Sequence, residues 1–274
     1  MNISAKLKHS YRRSPTLDIN GKIALVTGAA SGIGLAIARA LAAGGSRVIM
    51  ADIDRDELER ATTTIPGAEM IVLDVTDRDR WATAKERFGA IDILVNNAGI
   101  GPDGFTLADM DPEAFDRIIR INLVSVFNGV SAFAAAMRER GSGYIVNTAS
   151  MAGLTASPRL GGYTAAKFGV VGMSEVLRAE LLPHGVGVSV LCPGFVPTRL
   201  AETTGKAGSA VPSADLSSTT AAPVDAAVIG RLVVDAIAVG KPLIVTHGQY
   251  RDPVQARLDS VAAAFDGVPA SADY

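Results

Sequence analysis

The chain has a single cysteine, Cys192, among 274 residues. An intrachain disulfide and a cysteine metal cluster are therefore excluded, which is the usage a reducing cytoplasm permits. Cys192 is expected to be a small packing residue at a strand end; no metal site is expected, and a cytoplasmic location is. Charge of one sign is also lacking. With 26 basic and 28 acidic residues the net charge is −2, so no global field draws the chain to nucleic acid or to an anionic membrane. A small-molecule partner is expected instead. The longest uncharged apolar stretch, 121–137, is interrupted by Asn122, Ser125, Asn128 and Ser131, too short and too broken for a membrane span, and is expected as a buried helix. His9, His184 and His247 lie in no recognisable catalytic motif, and no G-x-S-x-G elbow is present, which makes a Ser/His/Asp hydrolase a poor fit.

What is present is an apolar share of 48%, enough for an ordinary core, in a strand-then-helix alternation that favours one α/β domain. Residues 1–20 stand apart. They carry Lys6, Lys8, Arg12 and Arg13 without an apolar signal segment, and are expected as a mobile basic arm ahead of a single domain over 21–274.

The chain is organised around residues 27–34, Thr-Gly-Ala-Ala-Ser-Gly-Ile-Gly, which follow the apolar run Ile23, Ala24, Leu25, Val26 and precede an apolar helix pattern. Gly28, Gly32 and Gly34 lack the Cβ that would hold a pyrophosphate off the backbone, and a helix N-terminus offers free N–H groups to it. The spacing is G-x-x-x-G-x-G rather than G-x-G-x-x-G, so the turn alone leaves a ligand-free strand-to-helix connection open. Asp52 narrows this: it ends the next strand about 20 residues beyond the last glycine, where a carboxylate meets the adenosine ribose. It accepts from a 2′-hydroxyl and repels a 2′-phosphate, so NAD is preferred over NADP, with nearby Arg55 the one feature against. Asp54 is the better N-cap for the following helix.

Further on, the strand 69–73 ends in Asp74 and Val75; Asp74 either accepts from an adenine amine or caps the next helix. The strand 91–95 runs into Asn96, Asn97, Ala98 and Gly99, two amides and a glycine suited to a crevice or to bracing the strand. Asp111 and Pro112 read as N-cap and first residue of a long helix with Phe115, Ile118, Ile119, Leu123, Val126 and Phe127 at helical spacing, interrupted by Asn122. The strand 144–148 leads to Ser150. Tyr163 and Lys167 share one face of the next helix, on which Gly169 and Gly172 leave a smooth surface. After a strand at 186–191 come Pro193 and Gly194, a flexible loop at about 199–223, a helix over about 224–238, a strand at 243–246, and a terminal helix at about 252–266 with Val254, Leu258, Val261 and Phe265 in a stripe.

Tyr163-x-x-x-Lys167, taken with 27–34, Asn96-Asn97-Ala98-Gly99, Ser150 and Pro193-Gly194, resembles the short-chain dehydrogenase/reductase family in its single-domain form. The resemblance covers about 21–198 and continues loosely to 246. It implies a doubly wound parallel sheet, the three-layer Rossmann fold, and a homotetramer or homodimer. It implies that Gly28, Ser31, Gly32, Ile33, Gly34, Asp52, Ile53, Asp74, Val75, Asn96, Asn97, Ala98, Gly99, Tyr163, Lys167, Pro193, Gly194, Val196 and Thr198 hold the dinucleotide. Asn122, Ser150, Tyr163 and Lys167 match the family's catalytic four.

The chemistry follows from the residue types. Oxidising a secondary alcohol requires a base for the hydroxyl proton while hydride leaves for a nicotinamide. A free Tyr titrates near ~10; a neighbouring ammonium and a positive nicotinamide favour its phenolate. Tyr163 is the expected acid/base, Lys167 its pKa-lowering partner and ribose holder, Ser150 the donor to the substrate oxygen, and Asn122 the holder of a relay water. Ile100, Met151, Leu154, Leu160 and Phe195 make a hydrophobic substrate the expectation, with Arg159 available to an acidic one. The alternative is a non-catalytic, dinucleotide-binding redox sensor or scaffold. Two features depart from the family: the long basic start, and Thr246-His247-Gly248 where an Asp-Gly-Gly tail is usual.

Overall fold

Strands buried on both faces by helices need continuous apolar runs, whereas half-exposed strands alternate. The runs in this chain are of the first kind, and in the computed structural model, which describes residues 13–208 and 223–268, they form one all-parallel seven-stranded sheet. The strands are β1 Ile23–Thr27, β2 Arg47–Asp52, β3 Glu69–Val72, β4 Ile93–Asn96, β5 Gly143–Thr148, β6 Val186–Cys192 and β7 Leu243–Val245, in the order β3-β2-β1-β4-β5-β6-β7. The doubly wound class expected from the sequence is the one observed.

Each face has its own core. Ala24 and Val26 of β1 point to one side, where they meet Ile37 and Leu41 of α1 (Gly32–Ala43) and Ile229, Val233 and Ile237 of α7 (Ala226–Val239). Gly230 lets these helices touch, since a Cβ there would run into Ala36 O. Leu25 points to the other side with Leu94 and Ile145, beneath Trp81 of α3 (Arg78–Phe88), Phe133 and Met137 of α4 (Pro112–Arg140), and Leu177 and Leu181 of α5 (Gly161–Leu181). Burying such side chains contributes roughly 1.5–3 kcal/mol each.

Asp54 and Asp111 are the N-caps expected of them: Asp54 heads α2 (Arg55–Thr62) and accepts from Glu57 N, while Asp111 accepts from Glu113 N with Pro112 next. By length and composition α4 resembles a membrane span, yet half of its most apolar window is buried against the protein. Its stripe is not wholly core, because Phe127 is 49% exposed.

Three expectations need correction. From Ser14 onward the N-terminal segment is packed, not mobile: Ser14 N donates to Gly240 O, Ser14 Oγ to Val188 O, and Leu17 N to Ile237 O, with Ile19 buried. It bonds through its backbone and one hydroxyl, which leave no periodic signature; residues 1–12 lie outside the described residues. The loop after β6 begins with a short helix, α6 (Leu200–Lys206), fastened by Arg199 to Glu57 (2.6 Å), Lys206 to Asp54 (3.0 Å) and Gly101 N to Thr204 Oγ1 (2.8 Å). Two turns held by distant partners show no sequence period, and 209–222 lie outside the described residues. The terminal helix forms as α8 (Arg251–Ala263), but only the start of its stripe is covered. Val254 packs on the body, whereas Leu258, Val261 and Phe265 are exposed.

Candidate active site

In an open parallel sheet a crevice opens at the carboxyl ends of two adjacent strands whose connections leave in opposite directions. Here those strands are β1 and β4. The glycine turn leaves β1 with Gly28 at φ +64°, and α1 begins after the N-cap Ser31, whose side chain makes no capping bond. A Cβ on Gly28 would stand 2.9 Å from Ala98 Cα, and one on Gly34 would run into Gly28 O. The turn is thus pressed against the end of β4. Thr198 lies across Gly32, 3.1 Å from where its Cβ would be.

Thr27 is the hub that ties the two strand ends together: its hydroxyl donates to Val95 O and accepts from Asn97 N and Ala98 N. Sequence reasoning passed over it, because a threonine ending a strand carries no distinguishing signal. Asn97 donates through Nδ2 to Thr27 O and accepts from Thr148 Oγ1. Asn96 is turned away from the crevice, donating to Asn147 Oδ1 and packing on Gly129. Both amides brace strands, one of the two roles open from sequence.

At the end of β2 the Asp52 carboxylate accepts from Ala30 N (3.0 Å) and Asp54 N (3.1 Å), beside the glycine turn. Burial raises its pKa against the pull of those backbone donors. Ile53 next to it is 66% exposed. The cations around this end are already matched, Arg55 with Glu59, Arg199 with Glu57 and Glu202, and Lys206 with Asp54. Asp74 does not cap α3: its Oδ1 accepts from Thr76 N and Oγ1, and Asp77 is the N-cap of that helix. The neighbouring Val75 carbonyl accepts from Trp81 Nε1 and Asn128 Nδ2.

The catalytic candidates converge at the ends of β4, β5 and β6. A π-helical turn, Arg120–Val124, breaks the register of α4 and delivers Asn122, 1% exposed, to the end of β4. Its Oδ1 accepts from Ile100 N (3.1 Å), and its Nδ2 has no partner among the described residues. Gly99 stands between Asn122 and Lys167, for a Cβ there would be 2.6 Å from Asn122 Oδ1 and 3.6 Å from Lys167 Nζ. Lys167, 4% exposed, donates to Thr148 O (3.1 Å) and has no carboxylate partner among the described residues. Desolvation lowers its pKa to about 8.

Ser150 accepts from Ala152 N and donates to Pro193 O, with its hydroxyl also toward Tyr163. The Lys167 ammonium lies over the Tyr163 ring, 5.4 Å from its centroid. Burial raises the Tyr163 pKa, and the hydrogen bond with Ser150 opposes this. Cys192 lies behind this pair as a neutral thiol, its pKa raised by burial to about 12.

The segment after β6 closes the crevice. Pro193 O accepts from Met151 N (2.9 Å), Val196 packs into the core, and Thr198 reaches Gly32. Met151 and Leu154 share an apolar cluster with Tyr250 and Val254. Arg159 is exposed at φ +66°. A dinucleotide fits these residues: the free donors of buried Lys167 and Asn122 await acceptors, and Asp52 retains lone pairs for ribose hydroxyls.

Comparison with known proteins agrees. The family model described as short chain dehydrogenase matches residues 22–208. D-beta-hydroxybutyrate dehydrogenase of Cupriavidus necator is 42% identical over 194 residues, 67% of this chain and 74% of that protein. Levodione reductase of Leifsonia aquatica is 38% identical over 204 residues, 69% of this chain and 74% of that protein. A short chain dehydrogenase/reductase from Burkholderia phymatum, solved in complex with NAD, superposes with a TM-score of 0.81 at 32% identity, covering 90% of this chain and 96% of that one.

Proposed function

The chain belongs to the short-chain dehydrogenase family, and from that premise we propose that it is an NAD-dependent oxidoreductase interconverting a hydrophobic secondary alcohol and its ketone. The observation that carries this is the convergence of half-buried Tyr163 and Ser150 with buried Lys167 and Asn122 beside the glycine turn. The nicotinamide, when bound, supplies the hydride acceptor or donor. Tyr163 holds and moves the proton at the substrate oxygen, and Ser150 orients that oxygen by hydrogen bonding. Lys167 offers its remaining N–H groups to ribose hydroxyls, and the unpartnered Nδ2 of Asn122 anchors a water on the proton's way out.

NAD is favoured over NADP because Asp52 repels a 2′-phosphate and, among the described residues, Arg55, Arg199 and Lys206 at this end are already paired with carboxylates. The apolar wall of Met151, Leu154, Tyr250 and Val254 supports a hydrophobic substrate. A homo-oligomer is supported by exposed Phe127 and Val176 on α4 and α5, which pack together at Leu123 and Gly169. Light scattering that returned only the monomer mass would remove that part.

The primary test is reduction of NAD and of NADP, followed by nicotinamide absorbance, against a panel of hydrophobic secondary alcohols that includes hydroxysteroids and aryl alcohols. Turnover with NAD is expected, and Asp52→Ala is expected to narrow the preference over NADP by about tenfold. Silence across the panel with NADH still bound would move the chain to the redox-sensor class.

A further inference from the structure

His247, the first residue but one beyond β7, belongs to none of the motifs above and is 1% exposed. Its imidazole lies flat on Gly194: a Cβ there would stand 2.7 Å from His247 Cγ and 2.9 Å from Cδ2 and Nδ1. Gly194 N donates to Nδ1 (3.1 Å), and Nε2 is 2.9 Å from Phe195 O. A peptide N–H only donates and a carbonyl only accepts, so the ring is the neutral tautomer with its proton on Nε2. Thr246 Oγ1 lies 2.6 Å from the same nitrogen and also accepts from Gly194 N (3.4 Å).

The peptide so gripped links two parts of the site. One residue back, Pro193 O accepts from Ser150 Oγ (3.4 Å) and Met151 N (2.9 Å); four residues on, Thr198 lies over Gly32. The segment 193–198 therefore runs along the crevice from Ser150 to the glycine turn, and His247 is its side-chain clamp from the sheet edge.

We propose that His247 is a positioning residue that fixes the Gly194–Phe195 backbone against the nicotinamide half of the crevice, and through Pro193 fixes Ser150. This rests on the dinucleotide assignment above. The clamp acts at the nicotinamide end and leaves the adenosine end, around Asp52, untouched.

That asymmetry gives the test. Binding of NADH and of ADP-ribose, which lacks the nicotinamide, is measured by calorimetry for the wild type, His247→Phe and His247→Asn. His247→Phe keeps the flat ring without its nitrogens and is expected to weaken NADH about tenfold while ADP-ribose stays within about twofold. His247→Asn keeps an acceptor for Gly194 N and loses only the Phe195 bond, so its NADH loss is expected to fall between wild type and His247→Phe. It carries the test alone should the phenylalanine variant not fold. Equal losses for both ligands, or no loss for either, would overturn the positioning role. A wild type that bound neither ligand would instead overturn the dinucleotide assignment.

Discussion

Near the amino end of β5 the Tyr144 hydroxyl donates to Ser189 Oγ (2.7 Å), Ser189 donates to Lys241 O (2.6 Å), and Ser14 exchanges two bonds with the Val188 backbone. At the carboxyl end of the same strand Lys167 has one carbonyl for its ammonium, and Asn122 Nδ2 has none. Both sets are buried against the same sheet. The first is closed and stabilises the fold; the second is left open, and burial charges the protein for it. The difference marks Lys167 and Asn122 as buried groups with donors to spare.

The sharpest way to break this comparison is at Tyr163. Tyr163→Phe is expected to lower turnover by about a thousandfold, with NADH binding retained by fluorescence titration; turnover near the wild-type rate would return Tyr163 to the structural class.

A smaller effect, opposite in sign at the two ends, sharpens it. The Lys167 pKa in the folded chain, about 8, lies below the ordinary lysine value of 10.5. The unfolded state therefore binds the proton more tightly, and stability from this group rises as pH climbs from about 8 to 10.5. Below that window the folded protein bears the full cost of a buried charge. Lys167→Met, assayed by urea denaturation, is expected to stabilise the protein by at most about 3 kcal/mol at pH 7, a gain that fades towards pH 10.5, while abolishing turnover. Tyr144→Phe in the closed set is expected to destabilise by about 1 kcal/mol at neutral pH and to leave turnover unchanged. Destabilisation by both variants would erase the distinction.

Much of this was legible in the residues. The apolar runs marked the strands, Asp54 and Asp111 announced their helices, and the glycine turn with Tyr163 and Lys167 marked the crevice, because each is a local pattern tied to one element. The partners of the Asn96 amide and of Asp74 Oδ1 were not. Asn96 chose its face through Asn147, and Asp74 Oδ1 turned to Thr76.

By itself the sequence determined the parallel α/β class, the order of the elements and the residue types that meet at the carboxyl ends. Periodicity and turn chemistry act over a few neighbours and survive as patterns. Only the tertiary structure decided that Asn122 enters the site through a π-helical turn, that the chain from Ser14 is packed, and that His247 grips Gly194. The hydrogen bond between those last two spans 53 residues, and no local pattern records a partner that only the closed sheet brings within reach.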